Sequence, residues 1–351
     1  MRNLRTTSPL QTQSGFSLIE ILIGLVIGLL VTLVIMQVFS TFESQKRTTT
    51  GAADAQTNGS IALYTIAHEL QVAGYGLISG TDPALSCTTI NYDATVTDIT
   101  PVSITDGGNG PGASDTISLS YGDSPFAGVL SQITGVTGPK DVTVANNMAC
   151  AANDSALIIN GTSCDLTSVA GIPDQITVSL NTMPAGTANG NNLACLGIWT
   201  QATFRVNPNY NPASPNNAQA YLQRNDSRSV PDIVNIQARY GISGSCSSNN
   251  VVQWVDANDA SGLWTPAALA ANAGNRNLIK AVRIAVVARN GLLEKDPVSA
   301  DCTSGKGTAN RGPCAWDDAS DAAAAPKIDL SNDPDYRRYR YRVYETIVPL
   351  R

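Results

Sequence analysis

The 351-residue sequence has one histidine, His68, and no Cys-x-x-Cys pair, so the common nitrogen and sulfur metal sites have no ligand set to draw on. It contains no HExxH, GxSxG or P-loop pattern. GDSP at 122–125 resembles a lipase block, but the only histidine lies far upstream in a helical segment, where it reads as an exposed or capping residue. These absences argue against an enzyme, and no cofactor is expected. Charged residues are scarce at 14%, and no internal repeat is visible. Within 51–326 there are 12 basic against 22 acidic residues; such a surface repels phosphate backbones and disfavours nucleic acid as a partner.

Hydrophobic content, at 43%, is enough for a folded core. Gly, Pro, Asn, Ser and Thr crowd the middle of the chain, the composition of short strands joined by turns. Seven cysteines stand at 87, 150, 164, 195, 246, 302 and 314, a scatter that fits disulfides in an oxidising compartment. The odd count leaves one thiol over. Cys302 with Cys314 is the first pairing to expect, because the Gly-rich loop between them closes easily; burial as small hydrophobes is the alternative for several of the others.

The N-terminus carries the most specific signal. Residues 1–15, MRNLRTTSPLQTQSG, are polar, with Arg2 and Arg5 and no acid. The apolar run 16–39, FSLIEILIGLVIGLLVTLVIMQVF, follows. As a helix it measures roughly 36 Å, against a hydrocarbon core of about 30 Å. A secretory signal places its cleavage site after a short apolar stretch. Here the plausible site, between Gly15 and Phe16, comes before it, so cleavage removes the basic leader and retains the helix. Arg2 and Arg5 orient the helix with everything after it outside the cytoplasm. Glu20 costs about 2.5–3.5 kcal/mol inside a bilayer and so calls for a partner. The free amine of Phe16 on a neighbouring subunit is a suitable one.

GFSLIE at 15–20 with this apolar helix resembles the class III signal of type IV pilins and type II secretion pseudopilins. The resemblance implies cleavage after Gly15 by the prepilin peptidase, N-methylation of Phe16, and a role for Glu20 in assembly. One departure is the absence of proline between Phe16 and Pro83, where major pilins usually carry one in the helix. LYTIAHELQVAGYGL at 63–77 is similar to the second half of the long helix in PilW-type minor pilins and J-type pseudopilins. There Leu63, Ile66, Ala67, Leu70, Ala73 and Leu77 recur at helical spacing, and Gly74 and Gly76 are stop signals. Gly51 and Gly59 are expected to interrupt this helix.

Strands are expected at 115–121, 155–159, 175–180, 197–206, 219–223 and 232–242. In 278–290, Val282, Ile284, Val286 and Ala288 form a buried face, and Arg283, Ala285, Val287 and Arg289 a mixed one. At the chain end, 336–351, Tyr339, Tyr341, Val343 and Ile347 oppose an arginine ladder of Arg338, Arg340 and Arg342. That ladder reads as the charged edge of a sheet, the alternative being contact with DNA or an acidic partner. DIVNIQARYGI at 232–242 and the two C-terminal segments resemble strands of PilW-like minor pilins. The acidic stretch 317–335 reads as a solvated loop, with calcium as the alternative.

The expected architecture is α+β: leader 1–15, membrane helix 16–42, a periplasmic helical half over 43–77, and a β-rich head over 78–351. Within the head, 78–225 reads as an insertion, and 278–290 and 336–350 as the C-terminal strands of an antiparallel sheet packed on the helix. The resemblance implies a single-pass inner-membrane protein with a periplasmic domain, later carried to the pilus. Its expected partners are other minor pilins, the major pilin and the inner-membrane assembly platform. It implies a minor pilin of an initiation or tip complex, with a J-type secretion pseudopilin or a tip adhesin or DNA-uptake subunit as alternatives.

Overall fold

The computed structural model describes residues 15–77, 87, 89–91, 99–126, 128–211, 214, 219–303, 309–316 and 328–350. Residues 1–14 of the leader 1–15 and residues 317–327 of the acidic stretch lie outside the described residues. Residues 1–51 and 52–351 form two compact units.

The first unit is helical from Leu18 onward. The helix Leu18–Val72 is long and apolar enough to cross a membrane, and every side chain from Phe16 to Glu43 is exposed. The interruption expected at Gly51 and Gly59 does not occur. At Gly59 the reason is tertiary packing, which overrides helix propensity. An added Cβ would fall 2.2 Å from the Tyr344 ring and 3.1 Å from the Ala288 Cβ, so the missing side chain is what lets helix and sheet approach. Gly59→Ala should therefore destabilise the head by about 1–3 kcal/mol, despite gaining about 1 kcal/mol in helix propensity. Chemical denaturation followed by circular dichroism measures this, and a stabilised variant would contradict the close approach.

In the second unit Ala55, Ala62, Ile66, Leu70 and Ala73 form one buried stripe along the helix. The stripe shares its core with a four-stranded antiparallel sheet, ordered Val251–Val255, Ile233–Ser243, Ile279–Arg289, Tyr341–Pro349. Val282, Ile284, Val286 and Ala288 face that core. The opposite face of Ile279–Arg289 is not the mixed surface its alternation predicts. Ala285 and Val287 are buried with Val234, Trp316, Ile328 and Leu330, and Arg283 and Arg289 are buried as well. A covering segment, 311–316 with 328–330, causes the difference, and local alternation cannot reveal it.

A five-stranded sheet adds Ile104, Ile117, Leu119, Phe204 and Leu222 to the same core. Its order is Ser227–Pro231, Tyr221–Arg224, Thr200–Val206, Thr116–Tyr121, Val102–Thr105. Between its strands the chain makes a separate closed barrel. Ser163–Gly171 pairs with Ser155–Asn160, then Asn192–Gly197, Leu130–Val136, Asp141–Val144 and Thr177–Leu180, which returns to Ser163–Gly171. Ile133, Val142, Ile158, Val178 and Leu193 fill its interior, as side chains do in small barrels. Within the stretch 78–225, the segments 102–121 and 200–224 thus share the helix-packed core, while 130–197 closes on itself.

Two strand boundaries differ from expectation for local reasons. Asp174 accepts from the Ile176 and Thr177 N–H groups, at 2.9 and 2.7 Å, and delays the strand to Thr177–Leu180. The run 197–206 breaks after Gly197, whose φ of 79° belongs to the left-handed region, and continues as Thr200–Val206 in the other sheet. The helix ends at Val72, followed by Gly74 and Gly76 at φ 76° and 90°. Gly74 N–H then donates to Ser120 O at 2.8 Å. Disulfides join Cys87 to Cys164, Cys150 to Cys195 and Cys302 to Cys314, and Cys246 is the free thiol.

Candidate assembly site

Gly15 and Phe16 precede the helix, and Phe16 is 82% exposed. Ser17 O accepts the first helical hydrogen bonds, from Glu20 N at 3.0 Å and Ile21 N at 3.2 Å. Glu20 therefore stands in the first turn, where the helix dipole favours a carboxylate. Its side chain is exposed, and among the described residues no ion pair engages it. Chemically this is an acid on an otherwise apolar surface, open to a cation from another chain.

The far half of the helix is held by a polar contact that the sequence does not announce. Glu69 and Arg224 form a two-pronged pair, Nε–Oε1 2.5 Å and Nη2–Oε2 3.2 Å, tying the helix to strand Tyr221–Arg224. Only the position of Glu69 beside the buried Leu70 hints at it. His68 is exposed, its ring centroid 5.8 Å from that of Tyr64. Ser124 of the GDSP segment is buried in a turn, where its hydroxyl accepts from Phe126 N at 3.4 Å.

The arginine ladder does not form. Arg338 lies in the 3-10 turn Tyr336–Arg338, where it pairs with Asp335 at 3.0 Å and donates to Glu294 O at 2.8 Å. Arg340 precedes the strand and pairs with Glu294 at 3.1 Å. Only Arg342 is on the strand, exposed at the sheet edge. Glu294 and Asp335 take up two of the three guanidinium groups, and the turn removes the two-residue period on which the ladder depended.

Beneath the covering segment two arginines are buried directly opposite each other, Arg239 and Arg283. Like charges in register are unfavourable unless compensated. Asp256 pairs with Arg239 at 2.5 and 3.2 Å, and Glu345 lies 3.9 Å from Arg283. The Trp316 ring takes both guanidinium groups, at 5.5 and 5.3 Å from its centroid. Glu345 also accepts the Trp316 backbone N–H at 2.6 Å. The Cys302–Cys314 bond anchors the segment that carries this tryptophan. The cluster is internal packing of the sheet and offers no open binding surface.

Asp115 accepts from Gly107 N at 3.0 Å and from Ala238 N at 2.8 Å. Burial nevertheless pushes its carboxyl up to about 7; those two donors oppose the shift, and Asp106 and Asp256 add to it. A carboxyl whose pKa is higher folded than unfolded contributes stability below the unfolded value near 3.8 and loses it as pH rises towards 7. Between pH 4 and 7 this group should tilt stability downward by up to about 1.4 kcal/mol per pH unit. Asp115→Asn should flatten that slope in denaturation curves taken across the range, and an unchanged slope would contradict the assignment.

Of the acidic stretch 317–335, Asp329, Asp333 and Asp335 are described. Asp329 accepts from Ser331 N at 2.9 Å, Asp333 from Asp335 N at 2.9 Å and from Arg289 at 3.4 Å, and Asp335 pairs with Arg338. Among the described residues no group of three or more His, Cys, Asp or Glu is placed to hold a metal ion.

An apolar N-terminal helix is followed by a larger α+β domain, and residues 10–36 match the prokaryotic N-terminal methylation motif, which together point to a membrane-anchored class. Residues 213–351 match the family model of type IV pilus-assembly protein W, and the two matches together support a PilW-like type IV pilin. No curated protein and no solved structure matches the chain. The PilW match spans all four strands of the sheet that shares a core with the helix. The barrel lies outside both matched regions.

Proposed function

We propose that the protein is a minor pilin of the initiation or tip complex of a type IV pilus. The observation that carries this reading is the joint presence of the methylation motif at 10–36 and the PilW match at 213–351 in one chain. On this reading prepilin peptidase cleaves between Gly15 and Phe16, Phe16 is N-methylated, and 16–42 anchors the chain in the inner membrane. Residues 43–77 and the head then face the periplasm. The core that the helix stripe shares with the four-stranded sheet supports a pilin-like arrangement on this reading, with the barrel as an addition. Glu20 is neutralised by the Phe16 amine of a neighbouring pilin, and the assembly platform extracts the chain with other minor pilins and the major pilin. A bulky head favours the tip, because it is hard to repeat along a packed shaft.

Deleting the gene tests the reading against a J-type pseudopilin. Loss of surface pili and twitching with secretion intact is expected, whereas intact pili with lost secretion would overturn the assignment.

A further inference from the structure

We propose that one end of the barrel is a lipid-docking surface suited to zwitterionic headgroups that present an ammonium. This goes beyond the pilus reading and does not depend on it. Outside residues 16–42, thirteen large apolar side chains are exposed among the described residues. Six of them (Phe126, Val129, Leu130, Met148, Ile176 and Ile198) belong to this end, so the exposure is concentrated rather than scattered. The tips are fixed to one another. Asn147 Nδ2 donates to Asp174 O at 2.6 Å and Thr177 O at 3.1 Å. Asp123 Oδ1 accepts from Ile198 N at 2.6 Å, and Ser124 Oγ donates to Ala149 O at 3.5 Å. Four loops are thereby joined, and little ordering remains to be done on docking.

The chemistry selects the occupant. Met148 is 71% exposed, Ile198 60%, Val129 55% and Ile176 52%, so the tips are separate knobs rather than a groove. A fluid phase closes around such knobs, whereas a rigid protein needs matching pits. None of the six tips is the Trp, Tyr or Arg that dominates protein interfaces, while binding at a lipid boundary grows with the apolar area buried there. Charge refines the choice. Residues 122–199 hold five aspartates and a single base, Lys140, which sits in the hairpin between Leu130–Val136 and Asp141–Val144, at the opposite end. Asp123 and Asp174 are exposed among the tips, and the Ile176 N–H and Thr177 hydroxyl hold the Asp174 carboxyl below its ordinary value. Anionic lipid is repelled by these carboxylates, while the outward ammonium of phosphatidylcholine complements them.

The test uses the full chain held in nanodiscs, so that its own membrane helix is already occupied, and measures co-sedimentation with added vesicles. Phosphatidylcholine vesicles should carry the protein down, and phosphatidylglycerol vesicles should do so at least fivefold less. A triple variant, Met148→Ser, Ile176→Ser and Ile198→Ser, should lose at least tenfold in binding with an unchanged melting temperature; if it melts lower, Met148→Ser alone replaces it. No binding to phosphatidylcholine, equal binding to both lipids, or full binding by a folded variant would overturn the proposal. So would a variant defect seen only toward a co-expressed partner subunit, which would assign the surface to a protein.

Discussion

A chain carrying Glu20→Leu is expected to insert and to be cleaved normally, yet to be at least tenfold depleted from sheared filaments. Removing a carboxylate from a membrane helix relieves about 2.5–3.5 kcal/mol, so insertion gains rather than suffers. On the proposed reading, the loss falls on a contact between this carboxylate and the Phe16 amine of a neighbouring pilin. Within the described residues Glu20 has no ion pair to lose, and its exposed position in the first turn supports no internal packing. Immunoblots of membrane and sheared fractions separate the two steps. Filaments that contain the variant at the normal level would remove Glu20 from assembly.

The second large effect is on stability. Cys87→Ser with Cys164→Ser should lower the stability of the barrel and its attachment by about 4 kcal/mol, the scale for a cross-link closing a long loop. The bond spans 77 residues. Both cysteines are buried, in a cluster with Leu77, Ile99, Leu166 and Leu196 that lies outside the barrel interior. The neighbouring strand Thr89–Asn91 makes the one parallel pairing among the described strands, to Ser163–Gly171. Removing Cys302–Cys314, which spans only 12 residues, should cost less, about 3 kcal/mol. Denaturant titration of both variants gives the order, and an equal or reversed order would contradict the loop-length account.

These two predictions come from opposite ends of what the sequence makes legible. The apolar run after Gly15 with Glu20 inside it is a contiguous pattern, and so is the alternation of Val282, Ile284, Val286 and Ala288. Helix periodicity through Ile66, Leu70 and Ala73, and the stop at Gly74, are equally local. The barrel is different: its strands are four to nine residues long, and Asp141–Val144 pairs with Thr177–Leu180 across two intervening strands. No short-range pattern encodes that closure. The Glu69–Arg224 pair spans 155 positions, and the Trp316 stack on Arg239 and Arg283 joins three distant segments. The arginines of 338–342 misled for the reverse reason, since their spacing is that of a strand while Arg338 sits in a 3-10 turn with its charge already paired.

Glycine explains the remaining gap. By propensity Gly59 is a defect in a helix, and only the position of Tyr344 across the core shows why it is there. The chain's signals for processing and anchoring are therefore contiguous, whereas those for its head are distributed.

The central claim is that this chain is a processed, assembled pilin, and mass spectrometry of the mature N-terminus tests it most directly. A first residue of N-methylated Phe16 is the predicted result. A chain beginning at Met1, or at any residue other than Phe16, would contradict it.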